Sequence, residues 1–511
     1  MQTKVTSNRL CNALTFVVIL GLFLISIWMQ KHLGSNRDNA CLIQFAKELL
    51  QGRHYFKDTL EPNAPMAVYI YMPVLLIAHI TSISIVVALE LYVLTLIALV
   101  LLLARRLLLT LPKAARLILL CAIAAGLLIV PSVELGQREH FMVIFVLPYL
   151  LASAFLLSRT EFKLPLTLSL LIGALAGIGF AIKPYFIITF LMMECCILFH
   201  RKKWFSFCRS EVWVILAVQV IYLYSLFLIT PEYLTYIVPM SIKVYYATAV
   251  KPLTTPMTPV FLICLLIFCA NCFVPWITAE VTALRKMLLV SLLAFLLIYL
   301  LQQTYWYYHS LPAFTVSLMM LALLIYEQVI AMRKTSGQAH LLWAGLCFLF
   351  WLASLYGYVT FMAFYSDWRY HQTVMPAYQQ MIRFIKYHAP AHSSIFFFAP
   401  SLYPTYPINI DASIDTHCFN GYLMTPTAQQ VFIKRHVNYA FLDIYVWQTI
   451  RLLQKEKPHL IFIRTTPVEL YGEKKPAPYL PVFNRSKVFR QFWSHYRLIG
   501  QLDDFDVYAA I

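Results

Sequence analysis

The sequence predicts an α-helical polytopic membrane protein of about eleven transmembrane helices (range roughly 10–13), followed by a small extracytoplasmic α/β domain. Three observations predict it. Hydrophobic residues make up 61% of the 511 residues and charged residues 12%, with a mean hydropathy of +0.71. A soluble domain carries about 25% charged residues. Lys and Arg collect in short turns between apolar runs, and one assignment of the spans puts every such cluster on the same side, as membrane orientation requires. From about Tyr365 onward, charges, prolines and short β-rich runs return.

The same placement explains the net charge of +17. Basic residues spread through short turns orient a membrane protein; they do not form the clustered face that binds nucleic acid. The 11 cysteines show no CxxC pair and no Cys/His ligand spacing. Cys121, Cys264 and Cys347 lie in apolar runs and read as small buried hydrophobes. Cys41 and Cys418 fall in segments placed outside the membrane, which leaves a disulfide between them open.

Taken in order, Lys4 and Arg9 precede an apolar run, Ala13–Met29. No small-residue cleavage pattern follows it, so it reads as an uncleaved start-transfer helix with the N-terminus inside. The first outer loop then covers 30–82. It contains the apolar run Met66–Ile80, which has Pro73 within it. That run is shorter than the roughly 20 residues needed to cross. Counting it as a span would also put Arg105, Arg106, Lys113 and Arg116 outside. It is therefore expected to be a juxtamembrane or re-entrant helix.

Ile83–Ala104 then crosses inward and Ala115–Pro131 outward. Phe141–Ser158 runs in, to Arg159 and Lys163, and Leu164–Ile182 runs out, leaving Lys183-Pro184 at the outer edge. Tyr185–His200 runs in, to Arg201, Lys202, Lys203 and Arg209, and Val212–Thr230 runs out. Val260–Val274 runs in, to Arg285 and Lys286, and Met287–Leu301 runs out. Leu311–Ile330 runs in, to Arg333 and Lys334, and Leu341–Phe364 runs out. This gives a membrane domain over 1–364 and an extracytoplasmic domain over 365–511. In the latter, SSIFFFAP and HLIFIRTTP read as strands, and AYQQMIRFIKYHAP and YVWQTIRLLQKEKP as helices, the alternation of an α/β domain.

Sidedness gathers the polar residues. Asp38, Tyr55, Asp58 and Glu61 lie in the first outer loop, Glu134, Arg138, Glu139 and His140 in the second, then Lys183 and His309 at later outer edges. Each has a plainer reading: Asp38 as a polar helix start, Arg138-Glu139 as an exposed ion pair of little worth, Lys183 as a snorkelling side chain. Tyr305-Trp306-Tyr307-Tyr308 reads first as an interfacial aromatic belt. Glu90 sits within a span, where a charge costs about 2.5–3.5 kcal/mol, so it is protonated or paired.

The residues resemble a family. Asp38, the helical AKELLQG, Tyr55, Asp58, Glu61, Asn63, Pro65, Tyr69 and Tyr71 are similar to the first external loop of the GT-C glycosyltransferases, the group of protein mannosyltransferases and lipid A aminoarabinose transferases. GQREH at Gly136–His140 resembles their second-loop motif. GALAGIGFAIKP is similar to a motif that assigns Lys183, and WYYHSLPAF to one that assigns His309 and Pro312. The likeness covers the first 200 residues well and the rest weakly. It departs at Asn39, where many relatives carry a second acidic residue, which makes a metal-dependent variant less favoured.

The resemblance implies inverting transfer of a sugar from a polyprenyl-phosphate donor to a glycan, lipid or protein acceptor at the outer face. Asp38 is the implied general base, with Glu139 the second catalytic carboxylate, orienting Arg138 or contacting the acceptor. Arg138, Lys183 and His309 are implied donor-phosphate ligands. Asp58, Glu61, Tyr55 and His140 shape the acceptor side or the loops. No metal or other cofactor is indicated. Two other classes stay open. A transporter or flippase would need polar residues along its spans, where Glu90, Glu194 and Gln219 are the main candidates, and a polymerase of lipid-linked saccharides would use similar substrates. Short loops favour a bacterial inner membrane.

Overall fold

The computed structural model describes residues 2–59, 61–158, 164–202, 204–242, 258–274, 276–334, 339–390, 393–399, 401–416, 440–467 and 478–511. Arg159, Lys163, Lys203 and Cys418 lie outside them. The chain divides into two compact units. One comprises Met1–Gly34, Glu90–Tyr222 and Lys251–Arg369; the other Ser35–Leu89, Leu223–Val250 and Tyr370–Ile511.

Each apolar run expected to span the membrane is a helix: Gln2–Leu33, Ile85–Leu107, Lys113–Leu128, Arg138–Ser158, Leu166–Ala181, Ile187–Arg201, Ser210–Leu228, Pro259–Phe273, Ala279–Gln302, Tyr307–Lys334 and Ala339–His388. Among the described residues, eight helices are long and apolar enough to cross a membrane. The helices Lys113–Leu128, Leu166–Ala181 and Pro259–Phe273 have 16, 16 and 15 residues, below the roughly 20 of a full span. The last helix continues beyond Phe364, where its span was expected to end, because the pattern up to His388 stays helical and Pro376 is accommodated within it.

The Arg138–Ser158 helix is the centre of the first unit. Its apolar window is 100% buried, against 11% for the first helix. It packs on the helices Leu166–Ala181, Ala279–Gln302 and Tyr307–Lys334. A helix apolar on all sides belongs in such an interior position. Close approach elsewhere uses small residues. A Cβ on Gly173 would lie 2.7 Å from the Glu211 carbonyl oxygen, and one on Gly177 would lie 2.7 Å from the Val218 Cβ. Gly173→Leu is expected to lower stability by about 1–3 kcal/mol, because a backbone atom must move. Gly21→Leu, with nothing within 4 Å of the added Cβ, serves as the near-neutral control in thermal unfolding in detergent.

Glu211 also belongs to a buried polar group. Arg209 donates to Glu194 at 2.6 Å and to Glu211 at 2.7 Å, and Ser169 donates to Glu211 at 2.7 Å. Tyr149 donates its hydroxyl proton to Glu194. Glu194, a lone polar residue in the sequence, is thus paired, which accounts for its place among apolar helices.

In the second unit, the Met66–Ile80 run forms two short helices, Pro65–Tyr69 and Met72–Thr81. The longer, at 10 residues, rises about 15 Å, half of a hydrocarbon core. The strands β1 (Ser394–Phe398), β2 (Asp415–Thr416), β3 (Leu460–Arg464), β4 (Tyr496–Leu502) and β5 (Phe505–Ala510) form one sheet in the order β2-β1-β3-β5-β4. β1 is parallel to β2 and β3, and β5 is antiparallel to β3 and β4. The β4–β5 hairpin was not anticipated, because its residues alternate weakly.

β1 is covered on both faces, which explains its unbroken hydrophobic run. Phe397 stacks on Phe462 at 4.6 Å and meets Phe505 edge-on at 5.9 Å, while Phe398 contacts Tyr479 and Phe483 on the other side. Phe462 is fully buried. Phe462→Ala is expected to cost about 3–5 kcal/mol, read as lost protease resistance of 393–511 in the full-length protein.

Candidate functional site

The first unit brings Arg138, Glu139, Lys183 and His309 together from segments far apart in sequence. Helix ends do this. Gly136, in the left-handed region at φ +77, turns the chain into the Arg138–Ser158 helix, so Arg138 and Glu139 sit in its first turn. The Leu166–Ala181 helix ends before Lys183, which is extended (φ −139, ψ 140) ahead of Pro184. A residue before proline is sterically kept from helical geometry. Gln303 and Tyr305, both at φ +53, turn the end of the Ala279–Gln302 helix into the start of the next, placing His309 in its first turn.

Glu139 is fully buried. Lys183 donates to its Oε1 as a short ion pair. The same ammonium is 3.2 Å from Gln302 Oε1 and 3.3 Å from His309 Nε2. An ammonium has three protons and no acceptor, so Nε2 of His309 accepts, and its Nδ1–H donates to Thr304 Oγ1 at 2.7 Å. His309 is thereby held as one neutral tautomer. The Arg138 guanidinium lies 5.5 Å from the Tyr308 ring centroid and Lys183 Nζ 5.7 Å, within reach of cation–π attraction.

The loop before the cluster is braced. Ser132, at φ +53, donates to Asp367 at 2.8 Å, and its carbonyl accepts from Gln30 at 2.9 Å. Tyr307 donates to the Val130 carbonyl at 2.5 Å. His140 faces away from the cluster. Its Nδ1 accepts from the Gly136 N–H at 3.0 Å and its Nε2 donates to the Leu127 carbonyl at 2.9 Å.

Gln302 and Thr304 were not singled out from the sequence, and Tyr308 was read there only as part of an aromatic belt. They lie in or beside QQTYWYYHS, where the belt reading hid them. Trp306 is exposed as a belt residue would be, but Tyr305 and Tyr308 are buried. The signal available was a pair of polar residues, Gln302 and Thr304, ending an apolar helix.

Asp38 belongs to the second unit, in the first turn of the Arg37–Leu50 helix. Asn36 caps that helix, its Oδ1 accepting from the N–H groups of Asp38 and Asn39 at 2.9 and 3.0 Å. Asn39 is buried and accepts from the Tyr71 hydroxyl at 3.0 Å. Glu61 is also buried. It accepts from Asn63 N at 3.0 Å, from Asn63 Nδ2, and from Cys41 Sγ at 3.6 Å. Tyr55 packs edge-on against Phe45 at 4.8 Å, and Asp58 pairs with Lys455 at 3.6 Å while accepting from the His54 N–H. Among the described residues, no three His, Cys, Asp or Glu side chains group as metal ligands.

No protein-family model matches the chain, and no curated protein matches it in sequence. Solved structures do match. ArnT from Cupriavidus metallidurans bound to undecaprenyl phosphate superposes with a TM-score of 0.58 at 12% identity, over 98% of each chain. The apo form of ArnT gives 0.51 at 13% identity, over 98% of this chain and 97% of ArnT. The likeness is one of fold: this chain shares with ArnT an assembly of apolar helices followed by a small C-terminal sheet.

Proposed function

We propose that this chain transfers a sugar from a polyprenyl-phosphate-linked donor to an acceptor at the outer face of the membrane, with inversion. The observation that carries the reading is the buried assembly of Arg138, Glu139, Lys183 and His309, in a fold shared with an ArnT structure that holds undecaprenyl phosphate. A lipid carrier keeps its tail in hydrocarbon while its phosphate meets protein at a membrane edge.

In this reading Asp38 takes the proton from the acceptor hydroxyl. The hydroxyl oxygen bonds to the anomeric carbon as the bond from that carbon to the phosphate oxygen breaks. The departing lipid phosphate is stabilised by Arg138 and Lys183, since preorganised cations act where charge develops, and His309 helps to aim the Lys183 ammonium. Glu139 pairs with Lys183 and aims it. Asp58, Glu61, Tyr55 and His140 hold the loops. In this reading 1–364 spans a bacterial inner membrane with the N-terminus cytoplasmic, and 365–511 stands on the extracytoplasmic side.

The test incubates purified protein in nanodiscs with undecaprenyl-phosphate-linked sugars and a membrane extract as acceptor source. Acceptor-dependent release of undecaprenyl phosphate is the expected result. Movement of the lipid between leaflets without release identifies a flippase, and growth of a lipid-linked chain a polymerase; either result overturns the reading.

A further inference from the structure

The second unit ties the Asp38 helix to the C-terminal sheet domain at two places. The first is the segment Thr405–Asp411, which packs on the Arg37–Leu50 helix. Ser35 donates to Asp411 Oδ1 at 3.0 Å, and Tyr378 donates to Oδ2 of the same carboxylate at 2.6 Å. Asn409, itself buried, donates through Nδ2 to the Ala40 carbonyl at 3.3 Å. These contacts fall three residues before Asp38 and two after it, so they bracket the carboxylate. The second place is the Ala440–Glu456 helix. Gln448 donates to the Phe56 carbonyl, Glu456 pairs with Arg53 at 2.9 Å, and Lys455 pairs with Asp58.

Within the first loop, Asn36 caps the Asp38 helix, and Asn39 and Cys41 hold it to Tyr71 and Glu61. The Asp411 and Asn409 contacts add a hold from a distant part of the sequence, on both sides of the turn that carries Asp38. Both carboxylate oxygens of Asp411 are used, one by each partner. Burial pushes the Asp411 carboxyl above the usual range, and the hydrogen bonds from Tyr378 and Ser35 act in the opposite direction. Asp411 is half-buried, and the two hydrogen bonds it accepts offset that partial desolvation.

We infer that the C-terminal domain is a positioning domain for the first loop, with Asp411 the positioning residue that sets the Asp38 carboxylate in place through Ser35. The inference rests on the reading of Asp38 as general base. Asp411 touches no substrate; it acts through the start of the Arg37–Leu50 helix. A catalytic group displaced by about 1 Å loses on the order of 10²-fold in rate, so the effect belongs in kcat, and donor KM stays as it was.

The full-length protein in nanodiscs is assayed for undecaprenyl phosphate release, with undecaprenyl-phosphate sugar as the donor and a membrane extract supplying the acceptor. Asp411→Ala is expected to lower kcat by about 10²-fold at unchanged donor KM, and Asp411→Asn, which keeps one acceptor oxygen, by less. In an Asp38→Asn background, adding Asp411→Ala is expected to change nothing further, since residues acting as a unit are not additive. Wild-type kcat in Asp411→Ala beside an inactive Asp38→Asn overturns the inference alone. A multiplied loss in the double variant overturns it too. Full activity in Asp38→Asn instead overturns the general-base reading. Where Asp411→Ala accumulates poorly, Ser35→Ala removes one of the two donors only; a fall in kcat smaller than that of Asp411→Ala supports the inference, and wild-type kcat overturns it.

Discussion

Lys183→Met is expected to give the largest loss of both stability and transfer. It removes the ammonium that meets Glu139, Gln302 and His309 and leaves a fully buried carboxylate without its main counter-charge. Breaking a buried pair from one side costs about 3–5 kcal/mol. Loss of a group that stabilises developing charge costs about 10²–10³-fold in rate. The two effects separate in the double variant Lys183→Met, Glu139→Gln. Removing both charges restores much of the stability, because the cost lies in the orphaned carboxylate. It leaves transfer impaired, because the cation is still missing. Thermal unfolding and undecaprenyl phosphate release, measured on the same preparations, check both halves. A double variant that regains transfer along with stability shows Lys183 to be a structural counter-ion only.

Asp38→Asn is expected to abolish most transfer without touching the fold. The substitution keeps the size of the side chain, and the helix cap is unaffected, since that bond runs from the Asp38 N–H to Asn36. What is lost is the basicity, and a general base contributes about 10²–10⁴-fold. Melting temperature and protein level should equal those of the wild type, while kcat falls and donor KM holds. Full activity in a well-folded Asp38→Asn protein ends the assignment.

Much of the fold was legible because membrane proteins repeat one constraint. Apolar runs punctuated by Arg and Lys give helices and their ends, and the short Met66–Ile80 run was set apart by its length, by Pro73 and by the side on which Arg105, Arg106, Lys113 and Arg116 would otherwise fall. The strands around Phe397 and Phe462 were legible from unbroken hydrophobic runs. The β4–β5 hairpin was not, since residues such as Arg497, Gln501 and Asp506 break the alternation on an open face. AYQQMIRFIKYHAP was read as a helix, but its continuity with the last span was missed, because a change of composition at Tyr365 looked like a change of structure.

The candidate site divides in the same way. Lys183 could be picked out because Pro184 fixes where the helix stops. Arg138, Glu139 and His309 could be picked out as charges beside helix starts. Their meeting was not legible, since it depends on which helices pack around Arg138–Ser158. Nor was the engagement of His140, which turns on a left-handed Gly136 and one carbonyl of the preceding helix. In the first loop, Glu61 was conspicuous in the sequence and is spent on holding its own turn through Asn63 and Cys41. The anchoring of Ser35 and Ala40 by Asp411 and Asn409 joins residues 376 and 369 positions apart, a separation at which no local pattern gives a signal.

The most direct measurement of the central claim is the structure of this protein with undecaprenyl phosphate bound. The account predicts the phosphate within hydrogen-bonding reach, about 3 Å, of Lys183 or Arg138, with Glu139 still holding the ammonium. A phosphate bound elsewhere, with those side chains undisturbed and out of reach, contradicts it.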